Sequence, residues 1–165
     1  MEVKNCFPTS WDNLVKGITV GTFILIVTLL IIIGLMSDSP FLLVALIILF
    51  SCVLFIPFLW APQGFSVHDN SVNVKRFIGD KKILVVGKPK RWNWTWWGVR
   101  LFGSGGLYGY FGFFAFKGIG RVQMYSTNRH NLILVRDGKG KKYLLSPKEI
   151  DCFIKLLQKS TWRES

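Results

Sequence analysis

Acidic residues are scarce in this sequence, and so is any constellation that would use them. Nine Asp and Glu stand against 21 Lys and Arg, a formal charge of +12 over 165 residues. The acids beyond residue 60 are Asp69, Asp80, Asp137, Glu149, Asp151 and Glu164. The first three fall in turns, where Asp serves the backbone, and Glu149 falls at a helix start. No pair is spaced for acid–base work. Histidine is rarer still. His68 and His130 both lie in turn-like stretches without ligand spacing, so they make no metal site. Cys6, Cys52 and Cys152 include no C-x-x-C and are odd in number, which reads as free thiols in a reducing compartment. No G-x-S-x-G is present, and the glycine-rich run lacks the G-K-[ST] ending of a phosphate loop. The sequence leaves no catalytic residue to name, and neither a metal nor another cofactor is expected.

Charge is missing altogether from two stretches. Residues 18–36 and 41–60 contain none, which reconciles a mean hydropathy of +0.36 with so basic a chain. At ~1.5 Å per residue each covers roughly 30 Å, the thickness of a hydrocarbon core. Neither stretch has a polar face, so both read as transmembrane helices. A cleaved leader is not expected, because Gly34-Leu35-Met36-Ser37 lacks a small-x-small site and a second span follows at once. The link is Ser37-Asp38-Ser39-Pro40. It permits only a tight turn, with Ser39 as cap and Pro40 at the first helical position.

The basic residues give the orientation. Nineteen of the 21 follow Trp60, two (Lys4 and Lys16) precede the first span, and none lies in the turn. The positive-inside rule then places both termini in the cytoplasm and the turn outside, in a multi-pass protein of the inner membrane. Trp11 and Trp60 flank the cytoplasmic ends of the spans. The expected organisation is a cytoplasmic segment 1–17, a transmembrane hairpin 18–60 and a cytoplasmic domain 61–165. That domain carries a net +13 and is long enough for its own core.

The domain reads as mostly β. Residues 65–67, 71–78 and 81–86 are strand-like, separated by turns at 68–70 and 79–80. A basic stretch with Lys88, Lys90 and Arg91 leads into Trp92, Trp94, Trp96 and Trp97. Residues 103–120 hold seven glycines and six aromatics, too much glycine for a helix. They read as strands with tight turns, as an ordered loop, or as a segment dipping into the membrane interface. Strand signals resume at 121–127, 132–136 and 141–145, the last two around the Asp137-Gly138-Lys139-Gly140 turn. Ser146-Pro147-Lys148-Glu149 reads as a capping box, with Ser146 as cap, Pro147 first in the helix and Glu149 reaching back. Ile150, Phe153, Ile154 and Leu157 then form one apolar helix face.

Strands followed by one amphipathic helix, the block Arg100-x-x-Gly103-x-Gly105-Gly106-x-x-Gly109 continuing to Gly112, and Ser146-Pro147 with Phe153 together resemble the bacterial PH-like (pleckstrin-homology-like) domain proteins. Many of these carry two spans ahead of the domain. The resemblance covers residues 18 to about 158. It implies a membrane-anchored α+β protein: a two-helix transmembrane hairpin, then a PH-like β-barrel or sandwich with a C-terminal helix. It implies a binding scaffold facing the cytoplasm and no reaction. The turn at 68–70 is short and not basic, unlike the inositide cradle of lipid-binding PH domains.

The expected partners follow from these properties. The spans contact the bilayer. Lys88, Lys90 and Arg91 beside Trp92 and Trp94 form a candidate edge for anionic lipid headgroups, since each cation near such a surface contributes ~1 kcal/mol. The same Trp run fits equally a strand whose alternate indoles are core. A protein partner is expected, by strand addition or in a groove. The alternative is a membrane-tethered nucleic-acid-binding protein, motivated by charge and aromatics, although no nucleic-acid motif is present. Gly17 and Gly21 are the close small-xxx-small pair that would favour a homo-oligomer.

Overall fold

A computed structural model describes residues 6–37, 39–68, 70–94 and 98–161. Asp38, Asp69, Trp96 and Trp97, on which sequence expectations also rest, lie outside the described residues.

Strand β1 (Cys6–Pro8) is followed by two long helices, α1 (Asn13–Met36) and α2 (Pro40–Trp60). Helix α1 starts five residues ahead of its uncharged stretch because Asp12 caps it, Oδ1 accepting from the Val15 amide at 2.7 Å. At ~1.5 Å per residue the helices are about 36 and 32 Å long, enough to cross a membrane. Only Val15 and Ile26 of α1, and no residue of α2, are buried by the rest of the chain. A core helix of a soluble protein would be covered. Ser39 holds the N-cap position of α2 and Pro40 its first turn, but the Ser39 side chain makes no capping bond.

Among the described residues ten strands form two sheets. The four-stranded sheet has the order β1-β2-β3-β4, with β2 (Pro62–His68), β3 (Ser71–Arg76) and β4 (Lys81–Leu84). The six-stranded sheet has the order β5-β9-β10-β8-β7-β6. Its strands are β5 (Lys90–Trp92), β6 (Gly98–Gly105), β7 (Tyr110–Phe116), β8 (Gly120–Ser126), β9 (Leu132–Arg136) and β10 (Lys142–Leu145). All pairings are antiparallel except β8 with β10. Among the described residues the sheets meet through two isolated bridges, Val85–Asp137 and Thr9–Pro147, not through a paired strand. The fold is therefore a sandwich and not a closed barrel.

The core lies between the sheets. Phe65, Val72, Ile83, Ile133 and Leu145 are within 1% of full burial, and helix α3 (Ile150–Thr161) adds Phe153 and Leu157. A second cluster covers the outer face of the six-stranded sheet, where Met124, Leu132 and Leu144 meet Val15 from α1. The sheet is thus apolar on both faces, as continuous runs such as Leu132-Ile133-Leu134-Val135 require.

Two expectations are corrected here. Residues 6–8 do not stand apart from the domain: β1 pairs with β2, Phe7 opposite Phe65, and the Phe7 ring packs edge-on to Phe153 at 5.2 Å. Nor does Ser146 cap α3. Its hydroxyl accepts from the Thr127 amide at 2.9 Å, Pro147 bridges Thr9, and the helix begins at Ile150 with the Phe153 amide on the Glu149 carbonyl. The local capping signal loses to a tertiary bond, because the buried Thr127 amide needs an acceptor.

Candidate functional site

The spans do not hang from a flexible linker. A single residue, Ala61, separates α2 from β2. Ahead of α1, Asp12 is buried and serves two elements at once. Its Oδ1 caps the helix, while Oδ2 accepts from both the backbone amide and Nε of Arg129 at 3.2 Å. The Asp12 amide donates to the Thr127 carbonyl at 3.0 Å, and Thr127 Oγ1 donates to the Ser10 carbonyl at 2.9 Å. Arg129 also lies over the rings of Trp94 and Tyr110, at 6.0 and 5.8 Å. On the α2 side the Ile78 amide donates to the Leu59 carbonyl at 3.2 Å.

The tip of the β6–β7 hairpin completes the joint. Tyr108 adopts φ +57°, unusual outside glycine, and its amide donates to Thr19 Oγ1 on α1 at 3.1 Å. Its ring lies between Trp11 and Phe58, at 6.2 and 5.4 Å. Trp11, Trp60 and Phe77 are exposed at this level. Aromatics so placed are what an interface with lipid headgroups favours.

The Gly-rich block builds this hairpin. Gly103 and Gly112 stand opposite each other, at φ +116° and +120°. A Cβ on either would overlap the carbonyl oxygen of Phe111 or Phe102, so the pair forms a close corner that only glycine permits. Gly106 sits against Ile18, and a Cβ on Gly109 would lie 2.7 Å from the Ser126 carbonyl. Gly105 lacks a positive φ; the space it leaves is filled by Arg100, whose Nη1 would be 3.2 Å from a Cβ there.

The basic and tryptophan residues do not form one edge. Trp94 is half-buried, tilted against Tyr110 and edge-on to Phe116 at 5.3 and 5.4 Å, and Trp92 packs on the same cluster. Their indoles are drawn to the apolar outer face of the sheet, which the strand alternative anticipates. Lys90 pairs opposite Leu134 and Trp92 opposite Leu132, so β5 runs away from Arg129 and the joint toward its lysines. Lys88 and Lys90 are exposed at that remote end. Arg91 is exposed and ion-paired with Asp151 on α3.

That pair spans a cleft of about 450 Å³ between β5 and α3, lined also by Asn93, His130, Lys148 and Glu149. Among the described residues strand β5 is an edge, bonded only to β9. Both partners of the ion pair are largely exposed, so it holds the cleft shut only weakly. Among the described residues no three His, Cys, Asp or Glu side chains group to hold a metal ion. The shifted groups are tyrosines. Burial pushes Tyr110 up to about 12, with Asp12 adding and Arg129 opposing. Burial also raises Tyr125 and Tyr143. All three are neutral packing groups at physiological pH.

Residues 63–161, more than half the chain, match the family described as Bacterial PH domain. The chain belongs to this family. Neither the curated proteins nor the solved structures give a match. Bacterial PH domains are as a rule binding modules, in keeping with a sandwich that offers a cleft and open strand edges. Of the residues that make the joint, Trp11 and Trp60 stood out in the sequence as flanks of the spans, whereas Asp12 carried only the weak signal of an acid one position before the observed helix. Arg129 and Tyr108 had none.

Proposed function

We infer that this bacterial PH domain protein is an anchored binding module. Its two spans hold the sandwich against the cytoplasmic leaflet, and the cleft between β5 and α3 receives a protein partner. The observation that carries this reading is the joint. Bonds from Asp12, Thr127 and Ile78 tie the domain to both helix ends, so the surfaces remote from the joint face away from the bilayer. An extended peptide adding to β5 would find backbone groups on the free edge. Its acidic and basic side chains would exchange with the exposed Arg91–Asp151 pair. The leaflet supports the same geometry electrostatically, since Lys16 is exposed on the first turn of α1 beside the joint and attracts anionic headgroups.

A photo-crosslinking residue placed at Asn93 or Lys148 in the full-length protein in cells is expected to give a discrete protein adduct. The same residue at Arg121, outside the cleft, is expected to give none. Equal and diffuse labelling at all three positions would rule out the cleft as the partner site.

A further inference from the structure

A second concavity lies on the membrane side of the domain. It occupies about 390 Å³ between Ile18 of α1, Val53, Ile56 and Trp60 of α2, and Arg100 and Phe102 of β6. We propose that this groove binds an anionic phospholipid, with the acyl chain along α2 and the headgroup phosphate on Arg100. The proposal rests on the reading that α1 and α2 lie in the bilayer.

Depth selects the occupant. Val53 precedes Trp60 by seven residues, about 10 Å along a helix. The groove therefore starts at the interfacial tryptophan and continues beside the apolar span. At that level the apolar molecule always at hand is a lipid chain. Within α2, Pro57 has no N–H to give the Val53 carbonyl, which adds a potential acceptor to the wall.

Charge selects the headgroup. Among the described residues that line the groove, Arg100 is the one charged side chain. A guanidinium offers a planar fork of donors that matches phosphate oxygens. The hairpin is shaped around this arginine. Beside the Gly103–Gly112 corner Arg100 folds over Gly105, where an added Cβ would lie 3.2 Å from Nη1 and the arginine would have to shift by a few tenths of an ångström. Phe102 and Phe113, paired across the strands and 67% and 48% exposed, extend the apolar surface past the groove. Exposed aromatics of this size beside two spans suit lipid better than water.

The test uses the full-length protein in nanodiscs of phosphatidylcholine with phosphatidylglycerol, followed by native mass spectrometry of the lipid retained in detergent. Wild type is expected to retain phosphatidylglycerol preferentially. Arg100→Gln is expected to lower that preference about fivefold, the effect of one cation at an anionic surface. Arg100→Lys is expected to restore part of it, and the Lys88→Gln/Lys90→Gln pair to leave it intact. Val53→Trp, which fills the groove, is expected to reduce retention of both lipids. Retention by Arg100→Gln equal to wild type would overturn the proposal. A phosphatidylglycerol carrying a photoreactive acyl chain should label Val53–Trp60 and Phe102. Labelling spread evenly over both helices, or crosslinks joining two copies of the chain through the groove, would also overturn it. If the protein failed to insert into nanodiscs at all, the reading of the spans would fall first. Insertion without selective retention would remove the lipid site alone.

Discussion

Gly103→Ala is expected to lower the stability of the full-length protein by about 3–5 kcal/mol, a fall in Tm of about 10 °C. Two costs add. The φ of +116° is one that an L side chain adopts only under strain, about 1–3 kcal/mol. The new Cβ would also overlap the Phe111 carbonyl and lie 2.8 Å from the Gly112 Cα. Both are backbone atoms of the paired strand and have no rotamer through which to yield, so the strands must part. Gly140→Ala is the control. Its φ is +75°, but nothing lies within 4 Å of the added carbon, and about 1 kcal/mol is expected. Thermal unfolding in detergent, followed by tryptophan fluorescence, compares them. Equal losses would mean that β6 and β7 do not meet at a glycine corner.

The second large effect is expected at Asp12. Its carboxylate is 5% exposed and its partner Arg129 21% exposed. Asp12→Ala removes an N-cap, worth about 1 kcal/mol, and leaves a half-buried guanidinium without its acid, worth about 3 kcal/mol more. Asp12→Asn separates the two, because Asn still caps α1 but no longer neutralises Arg129. The expected order of Tm is wild type, then Asp12→Asn, then Asp12→Ala. Hydrogen exchange of the Val15 amide should accelerate in the Ala variant and remain slow in the Asn variant. Accelerated exchange in both, or in neither, would contradict a dual role for this side chain.

The parts of the fold legible in the sequence are those decided locally. Uncharged runs mark α2 to within one residue and α1 except for its first five, and the strand at 132–136 coincides with β9 because it is apolar on both faces and bounded by turn residues. What stayed hidden is set by residues far apart in sequence. Strand β1 has three residues, one of them proline, and exists because Phe7 finds Phe65 across a pair of intervening helices. Asp12 and Arg129 are separated by 117 positions. The glycines of 103–112 announce tight backbone, yet only the register of β6 on β7 shows that Gly103 and Gly112 oppose each other. The basic residues and the tryptophans of the candidate edge separate for a related reason. Adjacent letters from Lys88 to Trp94 suggest one patch, whereas a strand carries its ends apart and buries its indoles on a sheet.

The central claim is that the domain and both ends of the spans lie on the cytoplasmic side, with only the turn at Ser39 outside. Membrane-impermeant maleimide applied to intact cells tests it directly, using chains with one cysteine each. The native Cys152 is exposed on α3 and suits the domain side, and Ser39→Cys reports on the turn. The account predicts labelling of Ser39→Cys on intact cells and of Cys152 only after the membrane is opened. Labelling of Cys152 on intact cells, with Ser39→Cys protected, would contradict it.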